Sequence, residues 1–162
     1  MSDPNLKTTP AAAAALKQAA SWLAAWTSTS AWPEANRLDL TLRVEHLLDA
    51  VRTLAEQRWG ILSAITGLDH GPESGRMEVL YHFCAGAAVL TLRIDLARET
   101  AVVPSVCDAI PSARLYEQEL RELMGVGVDG LPEAGRLFLA DDWPTDIHPL
   151  RKDAQMPERK TP

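Results

Sequence analysis

Several groups of side chains in this sequence are of types that can do chemistry. Gly125-Val126-Gly127-Val128-Asp129-Gly130 has the GxGxxG spacing that lets a backbone approach a pyrophosphate. The fingerprint binds only where a strand turns into a helix whose first amides meet the phosphates. Here the glycines follow a helical stretch and Pro132 comes two residues after the last of them, so a helix C-cap and a turn are expected. Carboxylates gather at Glu117/Glu119/Glu122 and at Asp141/Asp142. Paired acids transfer protons when one is desolvated. Residues two apart on a helix point to different faces, however, and Arg114 and Arg121 stand near enough to neutralise them, so salt bridging is the expected role. His46, His70, His82 and His148 show neither metal-ligand spacing nor an HExxH helix. Cys84 and Cys107 lie far apart without a CxxC, and no GxSxG or Cys/His signature is present. Isolated thiols in a reducing compartment and no complete active site are the expectations.

The elements that must position these groups are legible from periodicity. Ala11 to Trp26 is rich in Ala and Leu and reads as a helix, with Trp22 and Trp26 one turn apart on a face that packs on the chain's own core or on another subunit. Trp32-Pro33 breaks that pattern. Leu38, Leu40 and Leu42 alternate with polar residues as a half-buried strand. Leu47, Leu48, Val51, Leu54 and Ala55 then line one face of an amphipathic helix. Ile61 to Leu68 reads as a strand, and Arg76–Cys84 with Ala87–Leu96 as a hairpin, with Leu90, Leu92, Ile94 and Leu96 facing the core. Ser105 and Asp108 have capping-box spacing, predicting a short helix that Pro111 ends. Ser112 to Leu123 is a further helix, with Ala113, Tyr116, Leu120 and Leu123 inside, Glu119 and Glu122 outside, and Gly125 as its stop.

Length and composition bound the answer. The chain has 162 residues, 46% hydrophobic and 23% charged, with a formal net charge of -6. That is one domain able to form its own core. No stretch reaches the ~20 apolar residues of a membrane-spanning helix, and Met1 to Pro10 shows no basic patch followed by an apolar run, so a cytosolic location is expected. The acidic balance argues against nucleic acid as a partner. The predicted fold class is α+β (α/β): a single domain with a mostly antiparallel sheet packed with helices, and an extended C-terminal tail. Its predicted parts are a helical Ala/Trp-rich segment over 1–36, an α/β core over 37–126 and a partner-docking tail over 127–162.

The C-terminal half also resembles a known family. Val103-Pro104-Ser105-Val106-Cys107-Asp108, Ile110-Pro111-Ser112-Ala113, Glu117-Gln118-Glu119-Leu120-Arg121-Glu122-Leu123-Met124-Gly125-Val126, Asp141-Asp142-Trp143 and His148-Pro149-Leu150-Arg151-Lys152-Asp153 follow one another in the order of its motifs. The family is the thirty-kilodalton subunit of complex I, the C-type subunit of NADH:quinone oxidoreductase, with the related subunit of energy-converting nickel–iron hydrogenases. Gln118 stands at the Arg of the family's Glu-Arg-Glu and Leu131 at the His of its Gly-His-Pro, which marks a divergent branch. Four residues, Pro144 to Ile147, separate Trp143 from His148, a longer spacing that resembles the hydrogenase version.

What the resemblance implies is an accessory subunit with no active site and no cofactor of its own. It would lie on the cytoplasmic side of the cell membrane and brace a large subunit, either the quinone-site or the nickel–iron one, beside an iron–sulfur subunit. Glu117, Glu119 and Glu122 would form framework ion pairs ahead of Gly125, and Tyr116, Leu120 and Leu123 would pack the helix. Trp143, His148, Pro149, Leu150, Arg151, Lys152 and Asp153 would dock on the partner. Two rivals from other classes are a free-standing dinucleotide-binding protein using Gly125–Gly130 and a regulatory module using the Trp22/Trp26 helix.

Overall fold

A computed structural model describes residues 10–132 and 135–157. Met1 to Thr9, on which the signal-peptide reading rests, lies outside the described residues. The elements in chain order are α1 (Pro10–Leu23), β1 (Thr27–Glu34), β2 (Arg37–Leu42), α2 (Leu47–Glu56), β3 (Ile61–Asp69), β4 (Arg76–Ala85), β5 (Ala88–Ala97), β6 (Val102–Pro104), α3 (Ala113–Glu119) and β7 (Gly127–Asp129). Five strands form a sheet in the order β1-β2-β5-β4-β3. All its pairings are antiparallel except that of β2 with β5, which are joined through α2 and the β3–β4 strands. The mostly antiparallel α+β domain expected from the sequence is therefore what forms.

The period of two along the strands decides which face is covered. Leu38, Leu40 and Leu42 stand in register with Leu90, Leu92 and Ile94, and these with Phe83, Tyr81 and Val79. All nine are at most 2% exposed, and burying a side chain of this class is worth about 1.5–3 kcal/mol. Helices close this face. α1 supplies Ala12, Leu16, Ala19 and Leu23, and α2 supplies Leu47, Ala50, Val51 and Leu54, to the same core cluster. The turn that follows α3 approaches β3 at Gly67, where a Cβ would stand 2.7 Å from Met124 Cγ and 2.9 Å from Leu120 Cδ1, so a larger residue would have to displace those side chains.

The opposite face carries a polar ladder. Arg93 donates to Asp39 (3.0 Å) and to Glu78 (2.5 Å), and His70 pairs with the other Glu78 oxygen at 2.8 Å. Burial pushes the Glu78 carboxyl up, but Arg93 and His70 outweigh it and hold it below its ordinary value. His82 sits between Thr91 and Thr66, both at 3.2 Å, and burial lowers its pKa.

Three expectations need correction. The first helix, expected to reach Trp26, stops at Leu23, and Trp32-Pro33 lies beyond it in β1, an edge strand paired with β2 through two irregularities, where a missing N–H is tolerated. The buried stripe of α1 is Ala12, Leu16, Ala19 and Leu23, while Trp22 and Trp26 pack only partly against the core. A different indole, Trp59, fastens α1 by donating to the Ala15 carbonyl at 3.0 Å. No helix starts at Ser105: residues 107–109 form a turn, and the Ser105 hydroxyl is committed to Glu117 instead.

Candidate functional site

The helix expected from Ser112 to Leu123 begins at Ala113 and continues beyond Glu119 as a wider π-type turn over Leu120–Met124. It places two motif carboxylates inside the protein. Glu117 is fully buried. Its Oε1 accepts the Val106 amide at 2.6 Å, and its Oε2 accepts the Ser105 hydroxyl at 2.6 Å and the Cys107 thiol at 3.1 Å. Burial pushes the Cys107 thiol up, and its bond to Glu117 adds to that shift. The segment Ser105–Cys107 is thereby pinned to α3, and Ser105 in turn donates its amide to Asp129 of β7 at 2.7 Å.

Glu122, expected outside, is 8% exposed. One oxygen accepts Gln118 Nε2 (3.1 Å) and the Leu137 amide (2.8 Å), the other the Phe138 (2.9 Å) and Leu139 (3.0 Å) amides. Burial raises its pKa, but the Phe138, Leu139 and Leu137 amides together prevail and hold it below the ordinary carboxylate value. The framework is thus built from neutral donors: among the described residues neither Glu117 nor Glu122 makes an ion pair with Arg114 or Arg121, contrary to expectation. Glu119, between them, is half-buried.

Gly125 ends the helix in the left-handed region at φ 67°, and the chain leaves as β7, which runs parallel to β6. The GxGxxG stretch is therefore a C-cap followed by a strand. A Cβ on Gly125 would lie 2.3 Å from the His148 ring, so the glycine also makes room for that ring.

The last turn leaves carbonyls that have no partner within the helix, and the C-terminal segment supplies donors to four in succession. His148 Nδ1 donates to Glu122 (3.0 Å) and the Leu150 amide to Leu123 (3.0 Å). Arg151 donates through Nε to Met124 (2.8 Å) and through Nη2 to Gly125 (3.2 Å). A cation here also suits the negative end of the helix dipole. Farther along, the Lys152 amide donates to Asp69 Oδ2 at 2.9 Å, and Asp153 pairs with Arg98. Asp69 and Arg98 form a buried bidentate pair at 2.8 and 3.0 Å, and Arg98 holds the Asp69 carboxyl far below the ordinary range.

The residues expected to dock on a partner are therefore brought together, but on the chain's own helix end. The polar groups of His148, Arg151 and Asp153 are bonded within the chain. Trp143 is half-buried and donates its indole N–H to Ile147 at 2.8 Å. Leu150, at 56% exposed, and the Lys152 side chain remain at the surface. The sequence reading missed Asp69, Arg98 and Gln118. For Glu117 a signal was present, since it falls four residues after Ala113 and three before Leu120, inside the apolar stripe.

The family model described as respiratory-chain NADH dehydrogenase, 30 Kd subunit, matches residues 40–160, the greater part of the chain, including the strap, the segment Leu137–Asp153 that lies over the end of α3. The chain belongs to this thirty-kilodalton subunit family. Formate hydrogenlyase subunit 5 of Escherichia coli is 33% identical over 127 residues, 76% of this chain but 22% of that protein. The C-type subunit of the NADH-quinone oxidoreductase of Moorella thermoacetica is 34% identical over 120 residues, covering 72% of this chain and 79% of that one. The chain thus spans about a fifth of the first relative's length and most of the second's. Among solved structures, a chain of the membrane-bound sulfane sulfur reductase, an archaeal respiratory membrane complex, shares the fold with a TM-score of 0.72, covering 87% of this chain and 84% of that one at 23% identity. In this thirty-kilodalton family member the motif ending in His148–Asp153 caps a helix and closes a buried ion pair.

Proposed function

We propose that the chain is a non-catalytic accessory subunit in the cytosolic peripheral arm of a complex I-related membrane oxidoreductase. It braces the large quinone-site subunit, beside an iron–sulfur subunit, during electron transfer coupled to ion translocation. The observation that carries this reading is the family match over residues 40–160, which includes both buried carboxylates and the strap that Glu122 holds. The chemistry of the site agrees with bracing. Glu117 and Glu122 each spend acceptor positions on donors of the same chain, as parts of a scaffold do. No helix among the described residues is long and apolar enough to cross a membrane, so in this reading attachment to the membrane runs through partner subunits. In this reading the chain needs no redox centre of its own.

A second reading places it in the equivalent position of an energy-converting nickel–iron hydrogenase. The similarity to Formate hydrogenlyase subunit 5 and the four residues between Trp143 and His148 favour it. Affinity purification of the tagged full chain from its native membranes, followed by mass spectrometry, separates the two. Quinone-reductase subunits in the eluate support the first reading and a nickel–iron large subunit the second. Absence of both would overturn the assignment.

A further inference from the structure

The amides of Leu137, Phe138 and Leu139 all turn inward to one buried carboxylate. Successive amides that converge on an anion form a nest, and the side chains of such a segment are directed away from it. Leu137 and Phe138 are accordingly 53% and 45% exposed on a backbone that Glu122 fixes from beneath, with Gln118 bonded to the Gly135 carbonyl and Arg136 to those of Ala140 (2.9 Å) and Trp143 (2.5 Å). A single exposed leucine is ordinary. Two adjacent large apolar side chains, one aromatic, on an ordered loop resemble the anchor of an interface, whose ordering cost is already met in the free protein.

The surroundings indicate what the anchor enters. Asp141, Asp142 and Asp146 are exposed and form no ion pair among the described residues, while Arg136, the nearest cation in sequence, is turned onto backbone carbonyls. Residues 136–146 thus carry three carboxylates against one guanidinium, and a pocket complementary to this loop is apolar at its floor and carries Lys or Arg at its rim. We infer that Leu137 and Phe138 are the apolar anchor by which this chain seats in a hydrophobic, basic-rimmed pocket of a neighbouring subunit. This rests on the accessory-subunit reading and assigns its contact to a loop distinct from the His148–Asp153 clasp.

The test uses the tagged full chain in its native membranes, as wild type, as Leu137→Ser with Phe138→Ser, and as Ile61→Thr, which alters a still more exposed apolar residue elsewhere (69%). The double variant is expected to lose the co-purifying subunit by roughly tenfold or more, and Ile61→Thr to retain it. Since a poorly folded double variant would also lose its partner, Phe138→Cys supplies a second measurement. Its thiol should react freely with a maleimide in the isolated chain and at least about tenfold more slowly in the complex. Wild-type recovery with the double variant, or an equally reactive Cys at 138 in the complex, overturns the inference and leaves the accessory-subunit reading standing. Slow labelling caused by a second copy of this chain overturns the inference as well. A wild-type chain that brings down no oxidoreductase subunit overturns both.

Discussion

The apolar face shared by β2, β5 and β4 and the strap over the end of α3 are held by opposite means. On the sheet, nine buried side chains meet by volume and area, and any one of them is supported by many neighbours. The strap buries little apolar surface and depends on particular atoms: four helix-end carbonyls, two carboxylates and one guanidinium. Losses on the sheet should spread through the whole domain, whereas losses in the strap should stay local.

The sharpest way to break this comparison starts in the core. Leu92→Ala should cost about 2–5 kcal/mol and lower denaturant midpoints reported by the sheet and by the strap together. If only one of them moved, the single cooperative core would be refuted. Next in size is Glu122→Ala, which removes the charge on which three amides converge. Hydrogen bonds to charged groups are worth about 1.5–3 kcal/mol. Hydrogen exchange should quicken at Leu137 to Leu139 while β5 amides keep their protection; global unfolding instead would show that the strap is part of the core. Arg151→Ala should be milder, about 1 kcal/mol, since the Met124 and Gly125 carbonyls can turn to water, and proteolysis after Leu150 should report it.

Acid should have the smallest effect near neutrality and a defined direction below it. Asp69 and Glu122 have folded pKa values below their ordinary 3.8 and 4.5, so each contributes stability that is complete above the unfolded value and is lost as pH falls through the folded one. Thermal midpoints should be flat from neutrality towards pH 5 and decline from roughly pH 4.5 downward. Asp69→Asn should show a shallower decline; an unchanged slope would assign the acid sensitivity to other groups.

The same contrast explains what could be read in the sequence. β2, α2, β3, the β4–β5 hairpin and α3 follow from apolar periodicity, because their burial is periodic. β1 did not follow: from Ser28 to Glu34 it is exposed on both faces, so Thr-Ser-Thr-Ser-Ala-Trp-Pro-Glu carries no alternation to detect. The resemblance singled out Glu117 and Glu122 as framework ion pairs and His148–Asp153 as docking residues; that the two carboxylates are held by neutral donors was not legible. A carboxylate that accepts backbone amides looks in sequence like any surface acid. The Asp69–Arg98 pair joins residues 29 apart, beyond the reach of helical or strand spacing.

A ribosome makes the clasp after everything that it fastens. Arg98 precedes Asp153 by 55 residues, and Asp69 precedes the Lys152 amide by 83. While the chain is being made, the end of α3 and the buried ion pair lack their last partners even though every strand of the sheet is already present. The loop over Glu122 and the clasp beyond it thus close only after the strands of the sheet have been made, and a chain cut short before His148 would have the same sheet but an unfinished surface to offer.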